Sequence, residues 1–159
     1  MHVTGMVHVN VNCSDFDRSL AFYRRLGFEL VAMVPETNTP EVAAAVGMPP
    51  YRVRGGILRL PGESTLLDLL EWQDPSDPSP PYPHLYHLGL ARIALRTTDL
   101  DADLAELAGI GVAPIGPPAE VVWPGQPTTR IACFTDPDGT VVELVQIPSS
   151  AVTRTETET

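Results

Sequence analysis

The sequence predicts an α+β protein built from two copies of a β-α-β-β-β unit. Three observations carry that prediction: a gapless repeat at an offset of 84 positions, a switch from alternating to helical apolar spacing at the same place in both copies, and a proline-rich connection between them. The chain has 159 residues, 43% hydrophobic and 19% charged, which is apolar material enough for one ordinary domain or two half-domains sharing a core.

The elements follow in order. Val7, Val9 and Val11 alternate along a first strand, and Ala91, Ile93 and Leu95 do the same 84 positions later. Ser14 and Thr98 each stand three residues ahead of an aspartate, Asp17 and Asp101, a spacing that predicts a hydroxyl cap with an acidic first turn. Phe16, Leu20, Tyr23 and Leu26 form one helical stripe, and Leu100, Leu104 and Leu107 form its counterpart. Gly27 and Gly111 end the helices, because glycine enters the left-handed conformation without a Cβ clash. Three strands follow each helix, at 28–34, 52–60 and 65–72 in the first copy and at 119–123, 130–135 and 140–147 in the second. Pro61-Gly62-Glu63-Ser64 and Asp136-Pro137-Asp138-Gly139 supply hairpin turns.

This divides the chain into a first module at 1–73, a linker at 74–88 and a second module at 89–148. The first module carries an insertion at 35–50 with a helical core at 41–46, which suits either a surface elaboration or a lid. The polar tail at 149–159 lacks an apolar period and is expected to be disordered.

Composition excludes several classes of function. The net charge is -10 and all ten basic residues are arginine, so a Schiff-base lysine and a phosphate-loop lysine are ruled out. No basic stripe exists to displace counterions from nucleic acid or an anionic membrane, which leaves small molecules as the expected partners. No apolar run reaches the roughly 18 residues of a spanning helix and no signal-peptide pattern opens the chain, so a cytoplasmic location is expected. Cys13 and Cys133 are far apart and in no metal-ligand spacing, which predicts two reduced, buried thiols.

Several of these segments together resemble the vicinal oxygen chelate superfamily, which includes glyoxalase I, methylmalonyl-CoA epimerase, extradiol dioxygenases and the bleomycin- and fosfomycin-resistance proteins. The resemblance covers residues 5–148. It rests on the opening strand with His8, the helix segment from Ser19 to Phe28, the strand ending Leu69-Leu70-Glu71, the second opening strand Arg92-Ile93-Ala94-Leu95, and Phe134-Thr135-Asp136-Pro137-Asp138-Gly139 followed by Val142-Glu143-Leu144. It implies a curved, partly open barrel whose concave face holds the site, and a homodimer, with the site closed either between modules of two chains or within one chain. The fold alone does not select a reaction.

Metal-binding members of that family take ligands from the first and last strands of each module. By position the resemblance implies His8, Glu71 and Glu143 as ligands of a divalent ion such as Zn²⁺, Ni²⁺, Mn²⁺ or Fe²⁺, with Arg92 in the fourth place. A guanidinium has no lone pair to donate and repels a cation, so metal binding is expected to be weakened or abolished. Alternation puts Asn10 and Asn12 on the side of His8, and Arg96 on the side of Arg92, as candidate substrate-binding groups for an oxygen-rich or anionic organic molecule. His84 and His87 lie in the linker, where an imidazole is more often hydrogen-bonded or solvated than a ligand, and Trp72 and Trp123 suit core packing or a pocket mouth.

Two functions follow from the resemblance. The first is a lyase or isomerase that stabilises an enediolate, with Glu143 or Glu71 moving the proton and Arg92 taking over part of a metal's electrostatic work. The alternative is an antibiotic-binding protein that sequesters its ligand without chemistry. A dioxygenase is disfavoured, because the four mapped positions hold one histidine.

Overall fold

In a computed structural model, which describes residues 2–82 and 84–148, strand β1 (His8–Cys13) leads into helix α1 (Phe16–Arg25) and then into β2 (Glu29–Met33). A short helix α2 (Pro40–Ala45) lies in the insertion, ahead of β3 (Arg52–Arg59) and β4 (Leu66–Asp74). The second half runs β5 (Ile93–Thr97), α3 (Leu100–Gly109), β6 (Ala119–Val121), β7 (Thr129–Thr135) and β8 (Val141–Gln146). The strands form two four-stranded sheets, ordered β1-β4-β3-β2 and β5-β8-β7-β6, so the α+β expectation of two βαβββ modules holds. The chain divides into two units, Met1–Pro80 and Pro81–Thr159. The disorder expected for 149–159 concerns positions outside the described residues. No helix among the described residues is long and apolar enough to cross a membrane.

Both main helices start one residue later than the hydroxyl spacing predicts. Asp15 accepts from the Arg18 amide at 3.0 Å and Asp99 accepts from the Ala102 amide at 3.0 Å, so the carboxylates cap rather than Ser14 and Thr98. A charged acceptor meets the exposed amides and the positive end of the helix dipole together, which is worth about 1 kcal/mol per cap. The helix ends match as well: the Phe28 amide donates to Tyr23 and the Gly27 amide to Arg24, and the Val112 and Gly111 amides repeat the pair on Leu107 and Ala108. Gly27 at φ 91° and Gly111 at φ 81° take the left-handed step that these bonds require.

Packing puts the core on the helix side of each sheet. Helix α1 lies against β4 and buries Phe16, Leu20 and Tyr23 over Val11, Leu58, Leu67 and Leu69. Tyr23 meets Phe22 and Phe28 edge-to-face at 5.4 and 5.7 Å, and the Phe28 contact closes the helix terminus. Helix α3 lies against β7 and β8 and buries Leu100 and Leu107 with Phe134, Val142 and Leu144. An ion pair braces each module at the same point. Arg54 grips Asp17 with two bonds of 2.9 and 2.7 Å, and Arg130 grips Asp101 with two of 2.9 Å. Cys13 is buried and Cys133 only half-buried, and neither is in a disulfide.

Candidate functional site

Strand register decides which side chains share a face, because paired residues point the same way and neighbours along a strand alternate. In the second module Ala94 pairs with Glu143 in parallel, and Cys133 pairs with Glu143 in antiparallel. Arg92, Ala94, Arg96, Cys133 and Glu143 therefore lie on the side away from α3. Arg92 Nε donates to Glu143 Oε2 at 3.0 Å, with the Glu143 side chain 8% exposed and that of Arg92 43% exposed. The carboxylate is buried and neutralised from one side, and the arginine side chain stays partly open to solvent. Cys133 Sγ lies 4.0 Å from Glu143 Oε1. Burial pushes this thiol up from its ordinary value and the Glu143 charge adds to the rise, while Arg92 partly opposes it.

The first module departs from the expected ligand set. Its parallel register pairs His8 with Leu66 and Cys13 with Glu71, so His8 and Glu71 are separated by five register positions, about 16 Å along the strand. They also point to opposite faces, since Cys13 and Glu71 are on the helix side and His8 on the other. Glu71 Oε2 accepts from the Phe16 amide at 2.9 Å and so satisfies an exposed donor at the start of α1. Arg54, which pairs with Glu71 across β3 and β4, sits 5.2 Å above the Phe16 ring. The matching position in the second module is Gln146, which pairs with Thr97 and donates to the Thr98 carbonyl at 2.9 Å. The shared face expected for His8 and Glu71 is thus corrected, and Glu71 stands where the fold needs a helix brace.

The carboxylate that does match Glu143 is Asp68, which the sequence reading passed over. Asp68 pairs with Asn10 and with Ile57, as Glu143 pairs with Ala94 and Cys133. Its Oδ2 accepts from Asn10 Nδ2 at 3.3 Å, whereas Oδ1 is buried and has no hydrogen-bond partner. A signal for it exists: Leu67-Asp68-Leu69 repeats the aliphatic-acid-leucine order of Val142-Glu143-Leu144.

The other expected residues divide. Asn12 accepts from Trp72 Nε1 at 2.9 Å, and Trp72 stands 4.8 Å from the Tyr51 ring, so Asn12 orients an aromatic pair. Arg96 is exposed on the Arg92 face, across from Val145. His84 stacks on Tyr86 at 4.8 Å and His87 on Tyr82 at 6.4 Å, which occupies both linker rings locally. Trp123 is 59% exposed and takes no part in the core.

The donor set does not fit a bound divalent ion. No group of three or more His, Cys, Asp and Glu side chains comes together among the described residues in a way that could hold one. Glu143 already meets a permanent cation, and His8 and Glu71 face opposite ways.

The family model for the Glyoxalase/Bleomycin resistance protein/Dioxygenase superfamily matches residues 5–144. The chain belongs to this superfamily. Proteins of known structure share the fold over nearly the full length. A glyoxalase family protein from Bacillus cereus is 16% identical with a TM-score of 0.77, covering 92% of this chain and 96% of its own. The antibiotic binding protein TnmS3 from Streptomyces sp. CB03234 is 28% identical with a TM-score of 0.63, covering 93% and 99%. A glyoxalase family protein from Enterococcus faecalis is 25% identical with a TM-score of 0.64, covering 91% and 99%. A search of curated proteins gives no match.

Proposed function

We infer that this superfamily member binds an oxygen-rich or anionic small molecule of the antibiotic class and sequesters it without a metal ion. The observation that carries this is the 3.0 Å bond from Arg92 Nε to Glu143 Oε2. Engaging Nε alone leaves the terminal amino groups of the guanidinium to grip a carboxylate, quinone or phosphonate oxygen, while the buried glutamate fixes the direction of the fork. Arg96, exposed on the same face, adds a second cation. The likeness to an antibiotic binding protein at 28% identity supports the same class of ligand. Titration calorimetry against a panel of quinone, carboxylate and phosphonate antibiotics tests it. At least one compound binds in the presence of chelator, is recovered chemically unchanged, and is lost to Arg92→Ala. Recovery of a converted compound, or binding that needs added metal, overturns it.

A second function is favoured by one observation. Asp68 Oδ1 has no donor and stands on the face of His8 and Asn10, so Asp68 is the carboxylate free to take a proton in a lyase or isomerase reaction. Turnover that Asp68→Asn abolishes while binding persists would assign the chain to that branch. Pairing of two chains, implied by the family resemblance, is read by sedimentation velocity.

A further inference from the structure

Two stretches of the chain present apolar side chains to solvent and take no part in the candidate site. In the second unit the chain from Tyr82 to Ala91 is a closed loop. The Tyr82 hydroxyl donates to the Ala91 carbonyl at 2.7 Å, the His87 amide donates to the His84 carbonyl at 2.9 Å, and the His87 ring stacks on Tyr82. Pro81, at its base, packs beside Gly139 of the β7–β8 hairpin. The loop is thus held in shape, yet its tip is apolar: Leu88 is 94% exposed, Tyr86 83% and Leu90 54%. Such a loop has already lost its chain entropy without gaining any burial for these side chains, and a contiguous exposed patch of this kind marks an interaction surface.

In the first unit the insertion offers a flatter surface. Beyond β2 the chain stays on the free edge of β3, where the Val34 amide donates to the Gly55 carbonyl and the Val53 amide donates to the Glu36 carbonyl. Helix α2 follows, capped by Thr39 and seated by the buried Ala43. Val42 and Val46 stand one turn apart on α2 and are exposed, as is Met33 on the edge strand. Ala45 and Gly47 beside the valines are short, which keeps this face shallow.

The polar groups around the two surfaces are of opposite kinds. Residues 26–51 carry three carboxylates, Glu29, Glu36 and Glu41, and no basic residue, whereas residues 78–98 carry two histidines and two arginines and no acidic residue. Arg92 is engaged by Glu143, and the Asp136 charge reaches Tyr82 at the base of the loop, so the loop's own donors are the imidazoles of His84 and His87.

We propose that these two surfaces are the contact between two copies of this chain, with the loop of each copy seated on the insertion of the other. The protruding leucine tip meets the shallow valine face, and the imidazole N–H groups meet the carboxylates at its rim. A contact of unlike surfaces made twice about a two-fold axis closes on itself and leaves neither patch in water. Residues 33–50 and 82–91 together number 28 in each copy, within the roughly 20–30 a side that a stable interface uses. The insertion is then an interface element and not a lid. This rests on the pairing of two chains proposed above and adds which surfaces meet.

Sedimentation velocity of the full chain tests it, with one charged substitution in each surface. The parent is a dimer at micromolar concentration. Leu88→Glu and Val46→Arg are each monomeric, with the dissociation constant raised about a hundredfold or more, because each buries an unpaired charge. An equimolar mixture of the two variants recovers the dimer: one of its two contacts joins parental surfaces, and the other sets a glutamate against an arginine. Circular dichroism of each variant matches the parent, and Tyr86→Ser with Val42→Ser gives the same pattern should a charged variant fail to fold. Ile110→Glu, an exposed position outside both surfaces, stays a dimer. A monomeric parent overturns the pairing and this contact together. A dimer that survives either substitution, or two monomeric variants whose mixture stays monomeric, leaves the pairing standing and overturns the contact.

Discussion

Arg92 holds Glu143 by its Nε hydrogen at 3.0 Å, so a side chain less than one-tenth exposed is neutralised by one that is nearly half exposed. The carboxylate is costly to bury alone, and the guanidinium has solvent as an alternative. Arg92→Ala strands the charge of Glu143, whereas Glu143→Gln leaves Arg92 free to hydrate. The expected destabilisation is about 2–3 kcal/mol for Arg92→Ala and under about 1 kcal/mol for Glu143→Gln. Urea denaturation of both variants measures the asymmetry, and equal losses would contradict it.

Glu71 is a brace for α1, and its removal is expected to act on stability alone. Glu71→Ala leaves the Phe16 amide without its 2.9 Å acceptor and costs about 1–2 kcal/mol. Glu71→Gln keeps an acceptor in place and costs less. Ligand affinity in both stays at the parental value, and calorimetry on the folded variants checks this. A loss of affinity in Glu71→Gln would return this residue to the site.

Asp68 is expected to trade stability against binding. Its Oδ1 is an unpaired buried acceptor, a situation that costs about 1–3 kcal/mol. Asp68→Leu removes the orphan and keeps an apolar filling beside Ile57, so the melting temperature rises while affinity falls. Differential scanning calorimetry with a binding titration reads both. A variant that is both less stable and unchanged in affinity would make Asp68 a structural residue.

Cys133 is expected to be slow to react. Its thiol is held above the ordinary 9.0 by burial and then by the Glu143 charge, so the protonated form is the one the fold favours. That contribution is complete below the ordinary thiol value and is lost as pH rises through the raised one. Alkylation by iodoacetamide therefore stays slow up to pH 9 and accelerates above it. In Arg92→Ala, which removes the opposing cation, the acceleration moves to still higher pH. Midpoints at or below 9.0 would contradict the geometry around Glu143.

The fold was legible because its devices are local and periodic. The offset of 84 brings Gly27 onto Gly111 and Asp17 onto Asp101, and in each case both members do the same physical work. The caps were misplaced by one residue because a hydroxyl and a carboxylate stand side by side at Ser14-Asp15 and Thr98-Asp99, and spacing alone does not choose between them. The nearness of Arg92 to Glu143 in the second module was legible, and the two side chains do meet. The placement of Glu71 in the first was not, because Leu69-Leu70-Glu71 has the look of a strand-ending ligand while register, which no single strand contains, turns Glu71 toward the helix. The Trp72–Asn12 bond links residues 60 positions apart and left no local trace.

Alternation along the strands has a consequence for how such a protein can change. The caps, terminal glycines and arginine braces of each module lie toward its helix, and the candidate ligand-facing groups occupy the intervening positions of the same strands. A substitution at an odd position along β1 and one at an even position thus answer to different selective pressures. Ligand preference can drift in one module while its twin stays constant, and neither change disturbs the scaffold that both depend on.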